Sequence, residues 1–302
     1  MGDSLPTAEA DNAFIVERGI SMDLRAVSSG LRLGKDGIWW GPDALPVSYP
    51  DDGHDVLAQV EDASFWFRHR NRCIEAAVRR QPPPGGGPIF DVGGGNGFVS
   101  AGLRAAGFDV VLVEPGPQGA LNARRRGLDT VVCATTDSAG FGPASLPAIG
   151  LFDVIEHIED DRGFLAAMQG LLVAGGRLYA TVPAYQGLWS HEDVAAGHYR
   201  RYTLAQIGQR LVQAGLRLDY ASYFFRPLPL PIALLRALPY RLGLGSGGRP
   251  GGAQKVARDH AAQPGSKKAG LIERLLASEV EQIRAGRSMR FGGSCLLVAS
   301  KI

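Results

Sequence analysis

Residues 90–97 read Phe-Asp-Val-Gly-Gly-Gly-Asn-Gly, an apolar run that ends in an acid and passes straight into glycines at 93, 95 and 97. This stretch constrains the fold more than any other. A strand that turns sharply into a helix beside a nucleoside needs residues without a Cβ, because the backbone takes unusual angles and the ligand approaches it closely. The spacing excludes the dinucleotide fingerprint G-x-G-x-x-G: counting from Gly93 or Gly95 puts Phe98 or Ser100 where the third glycine belongs. Glycine-rich turns also close plain structural ends, so the neighbouring segments decide between the two readings.

Those neighbours follow the rhythm of a doubly wound α/β sheet. A helix predicted over 97–106 leads into Asp109-Val-Val-Leu-Val-Glu114, a buried-strand pattern that ends in an acid about 20 residues after the loop. Such strands end on one crevice, which makes Glu114 the expected ribose ligand; the plain alternative is a cap on the helix near Pro117. Strands are expected at 89–92, 109–114, 129–133, 147–153, 176–182, 217–224 and 294–300, with helices between them. A helix over 55–80 precedes the core and ends at Gln81-Pro-Pro-Pro, and an amphipathic helix covers 204–214. Residues 1–80 form an N-terminal lobe with a hairpin around Lys35-Asp36-Gly37, and 81–302 form the core, interrupted by an insertion at 225–293.

The insertion falls after a strand whose carboxyl end opens on the ligand side, so it is expected to cover the substrate as a lid. Its first part, 224–240, is apolar and broken by prolines. A packed lid, a homodimer contact and a membrane-surface or lipid-substrate contact are the open readings. Residues 244–270 are rich in glycine, charge and small side chains, and disorder is expected there. The stretch 271–280 is amphipathic.

Composition narrows the function classes. The 302 residues are 45% hydrophobic, enough for a substantial core, and the net charge of +2 comes from interspersed acids and bases, which argues against a nucleic-acid partner. Cys73, Cys133 and Cys295 lack paired metal spacing, which fits cytoplasmic thiols. No signal pattern and no transmembrane run of about 20 apolar residues is seen.

A second constellation, Asp153-Val-Ile-Glu156-His157, brings two carboxylates and an imidazole to the crevice. A helical turn starting near Asp153 would put all three on one face. Helix capping, proton handling by His157 and binding of a hard divalent metal by Asp153, Glu156 and His157 all remain open. Downstream, Thr181-Val-Pro-Ala-Tyr185 ends a strand, and His198-Tyr-Arg200-Arg201-Tyr202-Thr203 follows. The tyrosines, the histidine and the paired arginines there either orient a polar or anionic substrate or, with Thr203 as N-cap and the arginines in solvent or on acids, open a helix.

The pattern acid-x-Gly-x-Gly-x-Gly at 91–97 resembles the first motif of class I S-adenosylmethionine-dependent methyltransferases. Asp153-Val-Ile-Glu156-His157 resembles the Glu-x-x-Glu-His stretch of ubiquinone-pathway O-methyltransferases, which is associated with a divalent metal; Asp153 stands where that pattern has its first Glu. The resemblance covers roughly 60–225. It implies a Rossmann-like, seven-stranded, mostly parallel sheet with an antiparallel last strand, and S-adenosylmethionine as cofactor. Asp91 would face the amino group of the methionine moiety, and Gly93, Gly95 and Gly97 would cradle the cofactor. Arg70 would hold the carboxylate, Thr135 and Thr136 would offer backbone contacts near the base, and Asp153 would complete the set. Members commonly place an acid or amide after the third strand; this chain has Ala134-Thr135-Thr136-Asp137. The implied activity is methylation of a small-molecule or lipid-linked acceptor, most simply at oxygen. His157 and His198 are the candidate bases, with Glu156 and Tyr185 beside them. An N- or C-methyltransferase, or a noncatalytic cofactor-binding partner of a biosynthetic assembly, are the alternatives.

Overall fold

In the computed structural model, which describes residues 22–42, 61, 64–244 and 267–302, the strand leading to the glycines lies inside a nine-stranded sheet. The strands are β1 (Arg32–Leu33), β2 (Ile38–Trp40), β3 (Ile89–Val92), β4 (Val110–Val113), β5 (Val131–Cys133), β6 (Leu146–Phe152), β7 (Leu172–Pro183), β8 (Leu216–Phe224) and β9 (Ser294–Lys301). Their order is β1-β2-β5-β4-β3-β6-β7-β9-β8. Pairing is parallel from β2 through β7, and β9 runs antiparallel between β7 and β8.

The seven strands anticipated by the sequence are present as β3 to β9, but the sheet has nine, which corrects the expected count. The additional two come from the N-terminal hairpin. Ile38–Trp40 pairs in parallel with Val131–Cys133, and the Asp36 carboxylate accepts from the Ile38 N–H (3.0 Å) and the Trp40 indole (3.2 Å). Ile38 is fully buried. The hairpin thereby covers an edge of β5 that would otherwise expose unpaired backbone groups.

Helices cover both faces. The longer ones are α1 (Phe65–Arg80), α2 (Phe98–Ala105), α3 (Pro117–Arg125), α4 (Asp161–Leu171), α5 (Leu204–Gln213) and α6 (Lys267–Arg284). Residues 43–60, 62 and 63 lie outside the described residues, so the start of the helix expected at 55 does too; α1 begins after Ser64, whose hydroxyl accepts from the Trp66 N–H. Thr203 caps α5 through a capping box with Gln206. Strand alternation divides the core. Phe90, Val111, Ile149 and Leu178 face one cluster with Leu165 of α4 and Ile207 of α5. Ile89, Val110, Ala148 and Tyr179 face another with Ile74 of α1 and Ile283 of α6. Coverage on both faces is why the strands read as unbroken apolar runs.

The insertion is built differently from a free cover. Its second half, α6, packs on α1: the fully buried Glu279 carboxylate accepts from the Phe225 and Arg226 N–H groups (2.8 and 2.7 Å) and pairs with His69 at 2.8 Å. The expected disorder at 244–270 falls mainly on 245–266, which lie outside the described residues. The apolar first part is helical over 229–241, with a π-helical turn at Ala233–Ala237, and it packs against the 186–192 loop, where the Tyr240 and His191 rings meet at 4.7 Å. Among the described residues, no helix is long and apolar enough to cross a membrane.

Candidate active site

The chain reverses its direction of strand addition between β3 and β6, and the crevice at their carboxyl ends is where ligands bind in open α/β sheets. Asp91 at the end of β3 is buried and accepts from the Ser100 hydroxyl (2.6 Å). Burial pushes its carboxyl up to about 6, against the Ser100 bond and the charge of Arg70. Gly95 and Gly97 both have positive φ, 54° and 77°. A Cβ on Gly97 would stand 2.6 Å from Leu128, whereas one on Gly95 would meet nothing within 4 Å. Gly97 therefore serves packing, and Gly95 borders open space. Gly93, with φ 72°, lies against Val154, which ties the loop to the end of β6.

Glu114 follows β4 and is buried. Its two oxygens accept from the Gly95 N–H (2.8 Å) and the Gly116 N–H (2.7 Å), so it braces the glycine loop directly. Burial pushes it up to about 7 despite both bonds. The Thr135 hydroxyl is used in a capping box with Ser138, and Thr136 opens the short helix Thr136–Ala139. The Thr135 side chain is thus tied to local structure, and backbone contacts are what it can offer.

The expected helical turn is present as one 3-10 turn over Ile155–His157, but Asp153, at the end of β6 with φ 59°, lies outside it and does not share its face. Its carboxylate pairs with Arg70 and accepts from the Thr181 hydroxyl (3.1 Å). Arg70 is nearly buried, lies over the Trp66 ring at 4.9 Å, and keeps its Nε buried without a partner. The trio grouped by sequence as Asp153, Glu156 and His157 is therefore replaced in space by Glu156, His157 and His198, whose candidate ligand atoms lie within 4.8 Å of one another.

Glu156 is 1% exposed, and its Oε2 has no partner. Burial, with the Asp153 charge, holds its carboxyl well above the usual range. The His157 and His198 rings meet edge to face at 4.7 Å. Burial and the neighbouring His198 push the His157 imidazole down to about 4, so it is neutral at pH 7. His198 Nδ1 lies 2.9 Å from Asp193 Oδ1, which also accepts from Arg201 Nε at 2.7 Å. Burial opposes ionisation of Asp193, but the His198 bond and Arg201 outweigh it and hold the carboxyl low. The Tyr185 ring stacks on Tyr223 at 5.0 Å, and burial followed by that neighbour pushes its hydroxyl above the usual range. Among the described residues, three of the four non-glycine residues with positive φ, Asp153, Tyr185 and Phe225, follow the ends of β6, β7 and β8, a clustering typical of ligand sites.

Sequence reasoning missed Asp193, Thr181 and Ser100. Asp193 carried a local signal, since Ser190 and Asp193 form a capping box. Thr181 and Ser100 reach their partners only through the fold.

A family model described as a methyltransferase domain matches residues 66–221. A ubiquinone biosynthesis O-methyltransferase of Xylella fastidiosa (strain 9a5c) is 30% identical over 110 residues, covering 34% of this chain and 45% of that one. One from Methylocella silvestris is 28% identical over 168 residues, 53% of this chain and 63% of that one. The chain thus spans between about half and two thirds of these relatives' length. A solved S-adenosylmethionine-dependent methyltransferase of Thermotoga maritima superposes with a TM-score of 0.50 at 14% identity, covering 83% of this chain and all of that one. A methyltransferase solved with the Haloferax volcanii Trm112 activator gives 0.52 at 17% identity, covering 83% and 96%. The fold and the site define a Rossmann-like methyltransferase. The chain belongs to the methyltransferase-domain family, and its cofactor is S-adenosylmethionine.

Proposed function

We propose that the protein transfers the methyl group of S-adenosylmethionine to an oxygen of a small-molecule acceptor. The observation that carries this reading is the pair His157 and His198, one of them held by the buried Asp193, on the sheet edge that also bears the glycine loop. The residues fit the cofactor: open space borders Gly95, and the Arg70 Nε is buried without a partner. Asp91 would take the ammonium, Arg70 the carboxylate, and Glu114 the ribose hydroxyls, with backbone at Thr135 and Thr136 near the base. Asp153 and the Trp66 ring hold Arg70 in place.

S-adenosylmethionine supplies a methyl carbon activated by sulfonium, displaced in line. The protein's task is to align the acceptor, exclude water and take the hydroxyl proton as the new C–O bond forms. The hydrogen bond to ionised Asp193 assigns the proton to His198 Nδ1 and leaves Nε2 as acceptor. His157 is half-buried, and its imidazole, pushed down to about 4, is neutral at pH 7. The O-methyltransferase names of the relatives support oxygen as the acceptor atom. An acceptor panel with isotope-labelled cofactor tests this: a methyl on oxygen, lost in His198→Ala, is expected, and a methyl on nitrogen or carbon would overturn it.

One observation favours a second reading. The unpartnered Glu156 Oε2 beside His157 and His198 suits a divalent metal, with Asp193 supporting the His198 ligand from behind. Chelator would then abolish activity and an added divalent ion restore it, whereas the first reading expects no effect.

A further inference from the structure

We propose that a cleft between α4 and α5 binds a phosphorylated ligand at a site separate from the glycine loop. The cavity, about 360 Å³, is lined by Arg162, Arg200, Arg201 and Arg210 together with Gln186 and Gln206, and no carboxylate lines it. Asp161 and Asp193 are buried behind the arginines. Asp161 Oδ2 receives Arg200 Nη1 (3.0 Å), Arg210 Nε (3.4 Å) and the Tyr202 hydroxyl (2.9 Å), and Asp193 receives Arg201 (2.7 Å). Two carboxylates thus serve three arginines and fix their guanidinium groups, while Arg162 makes no hydrogen bond or ion pair among the described residues. The cleft keeps an excess of two positive charges.

The amides add to that polarity. Gln206 Oε1 accepts from the Thr203 N–H (2.8 Å), and Gln186 Oε1 accepts from the Arg201 N–H (2.9 Å), so both side chains have donor ends left to offer. Gln206, Arg210 and Gln213 recur along one face of α5 and extend the donor surface. A cleft of guanidinium and amide donors matches a doubly charged phosphate, whose oxygens accept only and pair bidentately with arginine. Its volume admits a phosphate with a small organic group. Arg201 joins the cleft to the site, since the carboxylate it grips also holds His198. The phosphate belongs either to the methyl acceptor or to a separate effector. Only the first source rests on the proposed methyl transfer; the site itself does not.

The test is calorimetric titration of the full chain with inorganic phosphate and with pyrophosphate at about 50 mM and about 150 mM salt. Saturable binding that weakens with salt is expected, pyrophosphate binding more tightly. Arg162→Glu should weaken it about tenfold or more. The substitution touches an exposed side chain without partners, so unchanged melting temperature and unchanged S-adenosylmethionine affinity are expected alongside. Absence of saturable binding at either salt, or wild-type binding by Arg162→Glu, would overturn the site. Competitive inhibition against the acceptor by the probes would assign the phosphate to the acceptor; a change in kcat without competition would assign it to an effector. Because binding is read without turnover, loss of the methyl-transfer reading would leave this result interpretable.

Discussion

His198 Nδ1 lies 2.9 Å from the fully buried carboxylate of Asp193, and this contact leaves Nε2 as the ring nitrogen free of that carboxylate. Asp193→Asn removes the charge with little change of shape. It is expected to lower kcat about 10²-fold or more at saturating cofactor, with cofactor affinity little changed. Steady-state kinetics check this, and wild-type kcat in the variant would remove Asp193 from the mechanism.

Glu114 makes stability depend on pH. Its carboxyl stands at about 7 in the folded chain against an ordinary 4.5, because burial outweighs the two N–H bonds. The folded state therefore holds the proton to higher pH than the unfolded state. The contribution is full below about 4.5 and is lost as pH rises to about 7. Glu114→Gln lacks this loss. Between pH 5 and pH 8, denaturant unfolding of the apo protein should shift in favour of the variant by about 1–3 kcal/mol.

Asp91 imposes the opposite sign on cofactor binding. With its carboxyl at about 6, the charge that would receive the cofactor's ammonium disappears as pH falls below that value. Affinity should drop by up to about tenfold per pH unit there. Calorimetry across pH 5 to 8 reads this directly, and Asp91→Asn should bind weakly with little pH dependence.

Gly97 and Gly95 should separate folding from binding. A Cβ on Gly97 would press on Leu128 at 2.6 Å and Ala123 at 3.0 Å, with φ at 77°. Gly97→Ala is expected to lose about 1–3 kcal/mol of stability in denaturant unfolding while the folded fraction still binds cofactor.

Much of this was legible in the sequence because it is local. The runs Ile89–Val92 and Val110–Val113, the spaced glycines and Glu114 each carry their signal within a few residues, and the resemblance supplied the mostly parallel sheet with its antiparallel last strand. What was not legible depends on distant partners. Nothing in Ile38–Trp40 names β5 as its neighbour, so the hairpin read as part of an N-terminal lobe rather than of the sheet. The helical-face argument placed Asp153 with Glu156 and His157, but the positive φ at Asp153 turns its carboxylate to Arg70 and Thr181. The position beside His157 is filled instead by His198 from a later loop. Glu279 likewise anchors α6 through contacts that only the tertiary fold reveals, so the amphipathic stretch 271–280 did not name α1 as its partner.

The most direct test of the account is calorimetric titration of S-adenosylmethionine and of its demethylated product into the wild-type protein and Gly95→Val. Gly95 has φ 54° and borders open space, so a branched side chain there would fill room that the cofactor needs and strain the backbone as well. The account predicts saturable binding of both compounds to the wild type and loss of binding in a variant that still unfolds cooperatively. Absence of binding to the wild type, or equal binding by a folded Gly95→Val, would contradict it.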